Sequence, residues 1–237
     1  MAAAARRWGV ARYLVWLAVA LVAAVVALNL WFAAHILWWR DHPVGETTFM
    51  AWRMDDLRAK NPKAQRKYSW VAYDRISGNL KRAMIAAEDA KFVDHEGFDW
   101  DGIQLAMEKN QRRGRVVAGG STITQQLAKN LFLSPSRSYW RKAEEAVITV
   151  MLEAMLPNRR ILEIYLNVIE WGSGVFGAAE ASRLYFGETA AQLSAEQAAR
   201  LAAMAPNPRF YERNPSAPGL IRKISIILAR MPGAEIP

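Results

Sequence analysis

Residues 139–169 read YWRKAEEAVITVMLEAMLPNRRILEIYLNVI. From Tyr139 to Leu156 apolar residues return every three or four positions. Ala143, Ala146, Val147, Val150 and Ala154 form one stripe, and Pro157 marks its end. That spacing is the helical period, whereas a strand would alternate by two. Proline lacks the amide that would carry the helical ladder onward. A second helix, Arg160–Ile169, follows almost at once. These segments set the class of the soluble part as mainly α.

The same reading extends in both directions. A helix starts at Ser121 or Thr122, after Gly119-Gly120, and puts Ile123, Leu127 and Leu131 on one face. Another spans Leu80–Phe92 behind an Asn79 cap. Toward the C-terminus helices fit Ala178–Tyr185 and Ala195–Met204, the latter opened by a capping box of Ser194 and Gln197. The last stretch, with Pro206, Pro208, Pro215 and Pro218, reads as loops plus one apolar segment, Leu220–Met231. Strand alternation is scarce, and no repeat is visible.

The N-terminus differs in kind. Tyr13–Phe32 reads YLVWLAVALVAAVVALNLWF, with Asn29 its one polar residue. About 20 residues at 1.5 Å each cross the ~30 Å hydrocarbon layer. Trp31, Trp38 and Trp39 fall at one interface, and Trp8 and Tyr13 at the other. Arg6, Arg7 and Arg12 precede the span, so the positive-inside rule puts residues 1–12 in the cytoplasm. The expected division is a cytoplasmic N-terminus (1–12), a transmembrane anchor (13–35), a polar, partly irregular stalk (36–75) and a catalytic domain (76–237). A cleaved signal peptide is the competing reading, but the apolar stretch is long and runs into bulky Trp-rich sequence.

Composition narrows the chemistry. The 237 residues contain no cysteine, which excludes disulfides, a thiol nucleophile and thiolate-held metals. Net charge is +9. A basic body beside a membrane favours anionic head groups or phosphate-bearing substrates. Nucleic acid is the other common partner of a basic chain, but no nucleic-acid motif occurs, and none is expected as a partner.

Three groups could carry chemistry. Glu88-Asp89 lies near the end of a predicted helix, where the negative end of the dipole raises a carboxyl pKa as a general base requires. An ordinary exposed acidic pair is the plain alternative. His95 and Gly97 in the same run suit a turn-and-cap role better than a metal site. Gly119–Asn130 combines glycines, hydroxyls and a helix start, with Thr122, Gln125, Gln126 and Lys129 on one polar face. The P-loop spacing is absent, and a capped amphipathic helix is the plain reading. Arg141 and Lys142 stand four and three residues before Glu145, within one helical turn of it. Such a group presents cations to a pyrophosphate beside a carboxylate, or forms a surface salt bridge.

Taken in chain order, EDAKFVDHEG (88–97), GGSTITQQLAKN (119–130), RKAEEAVITVMLE (141–153), RILEIYLNVIEWGSGVFGAAEASRLYF (160–186) and LSAEQAARLAAMAPNP (193–208) resemble the successive motifs of glycosyltransferase family 51. This is the peptidoglycan polymerase module found also at the front of bifunctional penicillin-binding proteins. The resemblance covers about residues 75–212, and the short anchored chain is similar to the monofunctional members. It implies a lysozyme-like helical domain with a smaller membrane-proximal lobe, acting outside the cell inner membrane on lipid II and the growing glycan strand. By motif position Glu88 corresponds to the catalytic base and Glu145 to the second catalytic carboxylate. Lys129, Arg141 and Lys142 correspond to residues that meet pyrophosphate. Asp89, Ser121, Thr124, Gln125 and Gln126 occupy further substrate-binding motif positions.

The resemblance implies no permanently bound cofactor, although some members work better with a divalent cation (Mg or Mn). No metal ligands are assigned. Membrane lipid and other wall-synthesis or division proteins are the expected partners. No Ser-x-x-Lys or Lys-Thr-Gly occurs, so no transpeptidase activity is expected. Two other functions stay open on sequence alone. A lysozyme-like lytic enzyme would cut the same polymer, and a non-catalytic membrane scaffold would need neither carboxylate. The segment Lys109–Val117, with Arg112, Arg113 and Arg115, reads either as a mobile loop between donor and acceptor sites or as an ordinary solvated basic loop.

Overall fold

In the computed structural model, residues 2–115, 119–136 and 138–237 are described, with side chains from residue 12 onward. The elements are α1 (Ala2–Asp41), α2 (Thr48–Lys60), β1 (Lys67–Tyr68), α3 (Gly78–Glu88), α4 (Trp100–Arg113), α5 (Ile123–Phe132), α6 (Tyr139–Met155) and α7 (Asn158–Val168). They continue with β2 (Glu170–Gly172), β3 (Val175–Phe176), α8 (Gly177–Phe186), α9 (Ala195–Met204), α10 (Pro208–Arg213) and α11 (Pro218–Arg230). The chain is mainly α, as its periodicity requires. The strands form one small sheet in the order β1-β3-β2, with β1 parallel and β2 antiparallel to β3.

Helix α5 lies at the centre, packed against α2, α6 and α7. Its predicted face of Ile123, Leu127 and Leu131 is buried. Helix α3 packs on α9 and α11, with Leu80, Ala83, Met84 and Ile85 buried between them. The capping box of Ser194 and Gln197 opens α9 as expected.

Several expectations are corrected. The first helix does not end with the apolar span. It runs to Asp41, because Phe32, Ile36 and Trp39 are buried. Phe32 and Trp39 meet the Phe132 ring at the end of α5, with centroids 4.9 and 5.3 Å apart. The side chain of Trp8 lies outside the described residues. The stretch read as polar and partly irregular contains α2, capped by Thr47. Helix α3 starts behind Ser77 rather than Asn79, and it stops at Glu88 rather than Phe92. Lys109–Arg113 belong to α4, which ends on Gly114 in the left-handed conformation, so they are no loop; Val116 and Val117 lie outside the described residues. The terminal apolar segment is itself a helix, α11.

The stripe that announced α6 does not face the core. Ala143, Val147, Val150 and Ala154 are exposed and Ala146 half-buried, whereas Glu145, Ile148, Thr149 and Leu152 are buried. The polar residues Glu145 and Thr149 displaced the inward face by about one position. Tyr139 and Trp140 at the start of α6 are also exposed, and α6 packs beside α1.

Candidate active site

The site is assembled where α3 ends and α5 begins. Glu88 is the last residue of α3. Asp89 leaves helical geometry at φ −161°, while its N–H still reaches the Ile85 carbonyl at 2.9 Å. Its buried carboxylate then turns to α5. Oδ2 accepts the Ile123 N–H at 2.9 Å, and Oδ1 accepts from His95 Nε2 at 2.8 Å. An anion at a helix N-terminus satisfies an otherwise orphaned amide.

The turn from Asp89 to Gly97 is fastened to the same point. The Gly97 N–H donates to His95 Nδ1 at 3.2 Å, and Thr122 Oγ1 donates to the Gly97 carbonyl at 2.7 Å. Gly97 has φ +83°, and a Cβ there would stand 2.8 Å from Thr149 Cγ2. Glycine is therefore required where this turn crosses α6. His95 has the turn role its surroundings suggested. Its hydrogen bond to Asp89 raises its pKa above the usual histidine range.

Glu88 is half-buried and faces a cleft of about 330 Å³ that Asp89, Gly119, Gly120, Ser121 and Arg230 also line. Its Oε2 accepts from Gln126 Nε2 at 2.7 Å. Burial pushes its pKa up. The Gln126 hydrogen bond and the charges of Lys223 and Lys129 oppose that rise, and Asp89 adds to it. Burial is thus the leading cause of the raised pKa. A smaller cleft of about 160 Å³, which Glu88 also lines, is flanked by Lys223 and Arg230 of α11.

A second group sits on α5 and α6. Glu145 is buried, with Oε2 on Arg141 Nη1 at 3.2 Å and Oε1 on Lys142 Nζ. Burial of Glu145 rules out the plain surface salt bridge. Arg141 Nε is buried with no acceptor among the described residues. Lys129 stands between the two groups. Burial lowers its pKa, the charges of Glu145 and, more weakly, Glu88 raise it, and Arg141 and Lys142 lower it.

The other motif residues have different surroundings. Ser121 is exposed at the cleft. Thr124 is fully buried and donates to Glu153 Oε1 at 2.6 Å. Gln125 is buried, its side chain turned back to the helix start in a capping box with Thr122. Among the described residues no three His, Asp or Glu side chains converge as metal ligands, and both Glu145 oxygens are held by cations. This donor set does not fit a resident divalent cation.

Sequence reading missed Tyr165, whose hydroxyl donates to Gln126 Oε1 at 3.0 Å, and the cations Lys223 and Arg230. A tyrosine on the otherwise aliphatic face of α7 was the available signal, because a buried phenol needs a partner. Lys223 and Arg230 are seven apart, two turns along one helix face.

A half-buried carboxylate facing a cleft, with clustered cations one helix away on a helical scaffold, is an arrangement suited to acid–base chemistry. Residues 55–232 match the family described as Transglycosylase, and the chain belongs to that family. It is 62% identical over 226 residues to a biosynthetic peptidoglycan transglycosylase of Dechloromonas aromatica (strain RCB), covering 95% of this chain and 98% of that protein. Proteins of the same name from Chromobacterium violaceum and Methylobacillus flagellatus are 61% identical over 218 residues and 62% identical over 213. They cover 92% and 90% of this chain, and 96% and 93% of their own lengths.

Proposed function

We propose that this peptidoglycan glycosyltransferase polymerises lipid II into glycan strands, releasing undecaprenyl pyrophosphate with inversion at the sugar. The observation that carries the reading is the pairing of Glu88, its pKa raised by burial, with Lys129 between it and the Arg141–Lys142–Glu145 group.

Glu88 removes the proton of the acceptor 4-hydroxyl as that oxygen attacks C1 of the donor sugar. The bond from C1 to the pyrophosphate oxygen breaks on the opposite face, and the proton stays on Glu88 until it passes to water. Charge growing on the leaving pyrophosphate meets Lys129, Arg141 and Lys142. Glu145 serves the donor side by holding two of those cations. Asp89 and Gln125 set the junction of α3 and α5, Thr124 anchors α5 to α6, and Ser121 lines the cleft.

Arg12–Asp41 is long and apolar enough to cross a membrane. With Arg6 and Arg7 before it, we place the N-terminus in the cytoplasm and the catalytic domain on the periplasmic side of the inner membrane. An anchored enzyme meets a lipid-linked substrate at raised effective concentration. Lipid II polymerisation by wild type and Glu88→Gln tests the reading. Loss of polymer with the fold retained is expected, and a variant working at the wild-type rate would refute Glu88 as the base.

A further inference from the structure

We propose that Tyr165 is a positioning residue for the base: its hydroxyl fixes the orientation of the Gln126 amide and thereby selects which Glu88 oxygen takes the proton. The proposal rests on Glu88 acting as the base.

Tyr165 is buried on the inner face of α7 among Ile161, Leu162 and Leu166. Its hydroxyl is the polar tip of that face and must find a partner there. It donates to Gln126 Oε1 at 3.0 Å, while Gln126 Nε2 donates to Glu88 Oε2 at 2.7 Å. A side-chain amide offers an acceptor on one side and donors on the other. With the phenol proton on Oε1, the NH2 group has to face Glu88. The flipped amide would set its carbonyl oxygen against a carboxylate oxygen with no proton between them.

Two features hold this arrangement. Burial raises the Tyr165 phenol well above its usual range, so it remains a donor wherever the enzyme works. The Gln126 backbone is fixed as well, its carbonyl accepting from Asn130 Nδ2 at 2.7 Å. Oε2 of Glu88 is therefore occupied by a donor that disfavours its protonation. Oε1 carries no hydrogen bond among the described residues and is the oxygen left to the acceptor hydroxyl. The same N–H bond stabilises the carboxylate and limits how far burial lifts its pKa.

The test uses the full chain with lipid II. Tyr165→Phe keeps the ring and removes the donor. The expected result is a kcat about tenfold lower with KM for lipid II within about twofold of wild type. The acid limb of the kcat–pH profile should move up by about one unit, because the freed amide no longer holds its N–H toward Glu88. In a Gln126→Ala background the same change should add nothing. An unmoved acid limb, or losses that simply add, would overturn the proposal, since a purely structural tyrosine gives both. If the phenylalanine variant does not fold, Gln126→Ala alone decides: a wild-type pH profile overturns the proposal and a raised acid limb supports it. Failure of the base assignment is separately visible, as Glu88→Gln would then polymerise.

Discussion

Asp89 accepts the Ile123 N–H at 2.9 Å and so ties the end of the helix that carries Glu88 to the start of the helix that carries Gln126 and Lys129. The same carboxylate holds His95 at 2.8 Å, which in turn receives the Gly97 N–H. Adjacent acids in the sequence thus have separate tasks. Glu88 faces the cleft, and Asp89 builds the joint that sets its position.

Asp89→Ala should destabilise the fold. It leaves the Ile123 N–H and the His95 Nε2 proton buried without acceptors, a cost of about 2–4 kcal/mol for the pair. Urea unfolding of the variant measures this directly. Asp89→Asn, which keeps one acceptor, should lose less. Equal stability of alanine variant and wild type would contradict the joint.

Glu88→Gln should do the opposite. Burial raises the folded-state pKa of Glu88 above its unfolded value. Its favourable contribution is therefore complete below the unfolded value of about 4.3 and is lost as pH rises through the folded value. At pH 7 the buried charge is a net cost, and the amide should melt about 1–3 °C higher while forming no polymer. The gap should close in melts recorded below about pH 4.

The same raised pKa sets the rate profile. A base must be ionised to accept a proton, so kcat/KM should fall with decreasing pH along a limb lying above the ordinary glutamate value of about 4.3. A rate unchanged down to that value would show that Glu88 is not the group titrating.

The elements that place the base were visible in the sequence through period and caps. Ile123, Leu127 and Leu131 face inward as their spacing requires, and the Ser194–Gln197 box opens α9. Helix α4 was hidden because its exposed face carries Trp100, Leu105 and Met107, with Ala106 its one buried residue, so no apolar stripe marks a core side. On α6 the apolar stripe was real but pointed outward, because buried Glu145 and Thr149 occupy the inner face for reasons of charge and hydrogen bonding rather than hydropathy. Glu88 and the cation group could be found by motif. The Tyr165–Gln126 bond could not, since it joins residues 39 apart that only the packing of α5 on α7 brings together.

Within the cation group, Arg141 should matter more than Lys142. The Arg141 side chain is 17% exposed and pairs with buried Glu145, whereas that of Lys142 is 52% exposed. Charges withdrawn from water interact more strongly with an anion. Arg141→Ala should weaken binding of inorganic pyrophosphate by about tenfold or more, and Lys142→Ala by only about two- to threefold. Isothermal titration with pyrophosphate checks both values, and a larger effect at Lys142 would reverse the assignment.

The outward stripe of α6 gives the last prediction. Helix α6 packs beside α1, and the 30-residue stretch Arg12–Asp41 at 1.5 Å per residue is longer than the ~30 Å hydrocarbon layer, so its final turns, with Phe32, Ile36 and Trp39 buried, stay with the domain. Tyr139 and Trp140, the latter 84% exposed, open a face that continues through Val147 and Val150. Aromatic residues at the edge of an apolar strip suit the head-group region of a bilayer. If the proposed membrane placement holds, this face should contact the bilayer. The chain has no cysteine, so Val150→Cys offers a single site for a nitroxide label. In vesicles the label should be more accessible to oxygen than to a water-soluble nickel chelate, as lipid-immersed sites are. Greater accessibility to the chelate would put α6 in water. Val150→Glu should then cost severalfold in rate on vesicle-borne substrate, because a carboxylate held at that depth pulls the face out of the membrane.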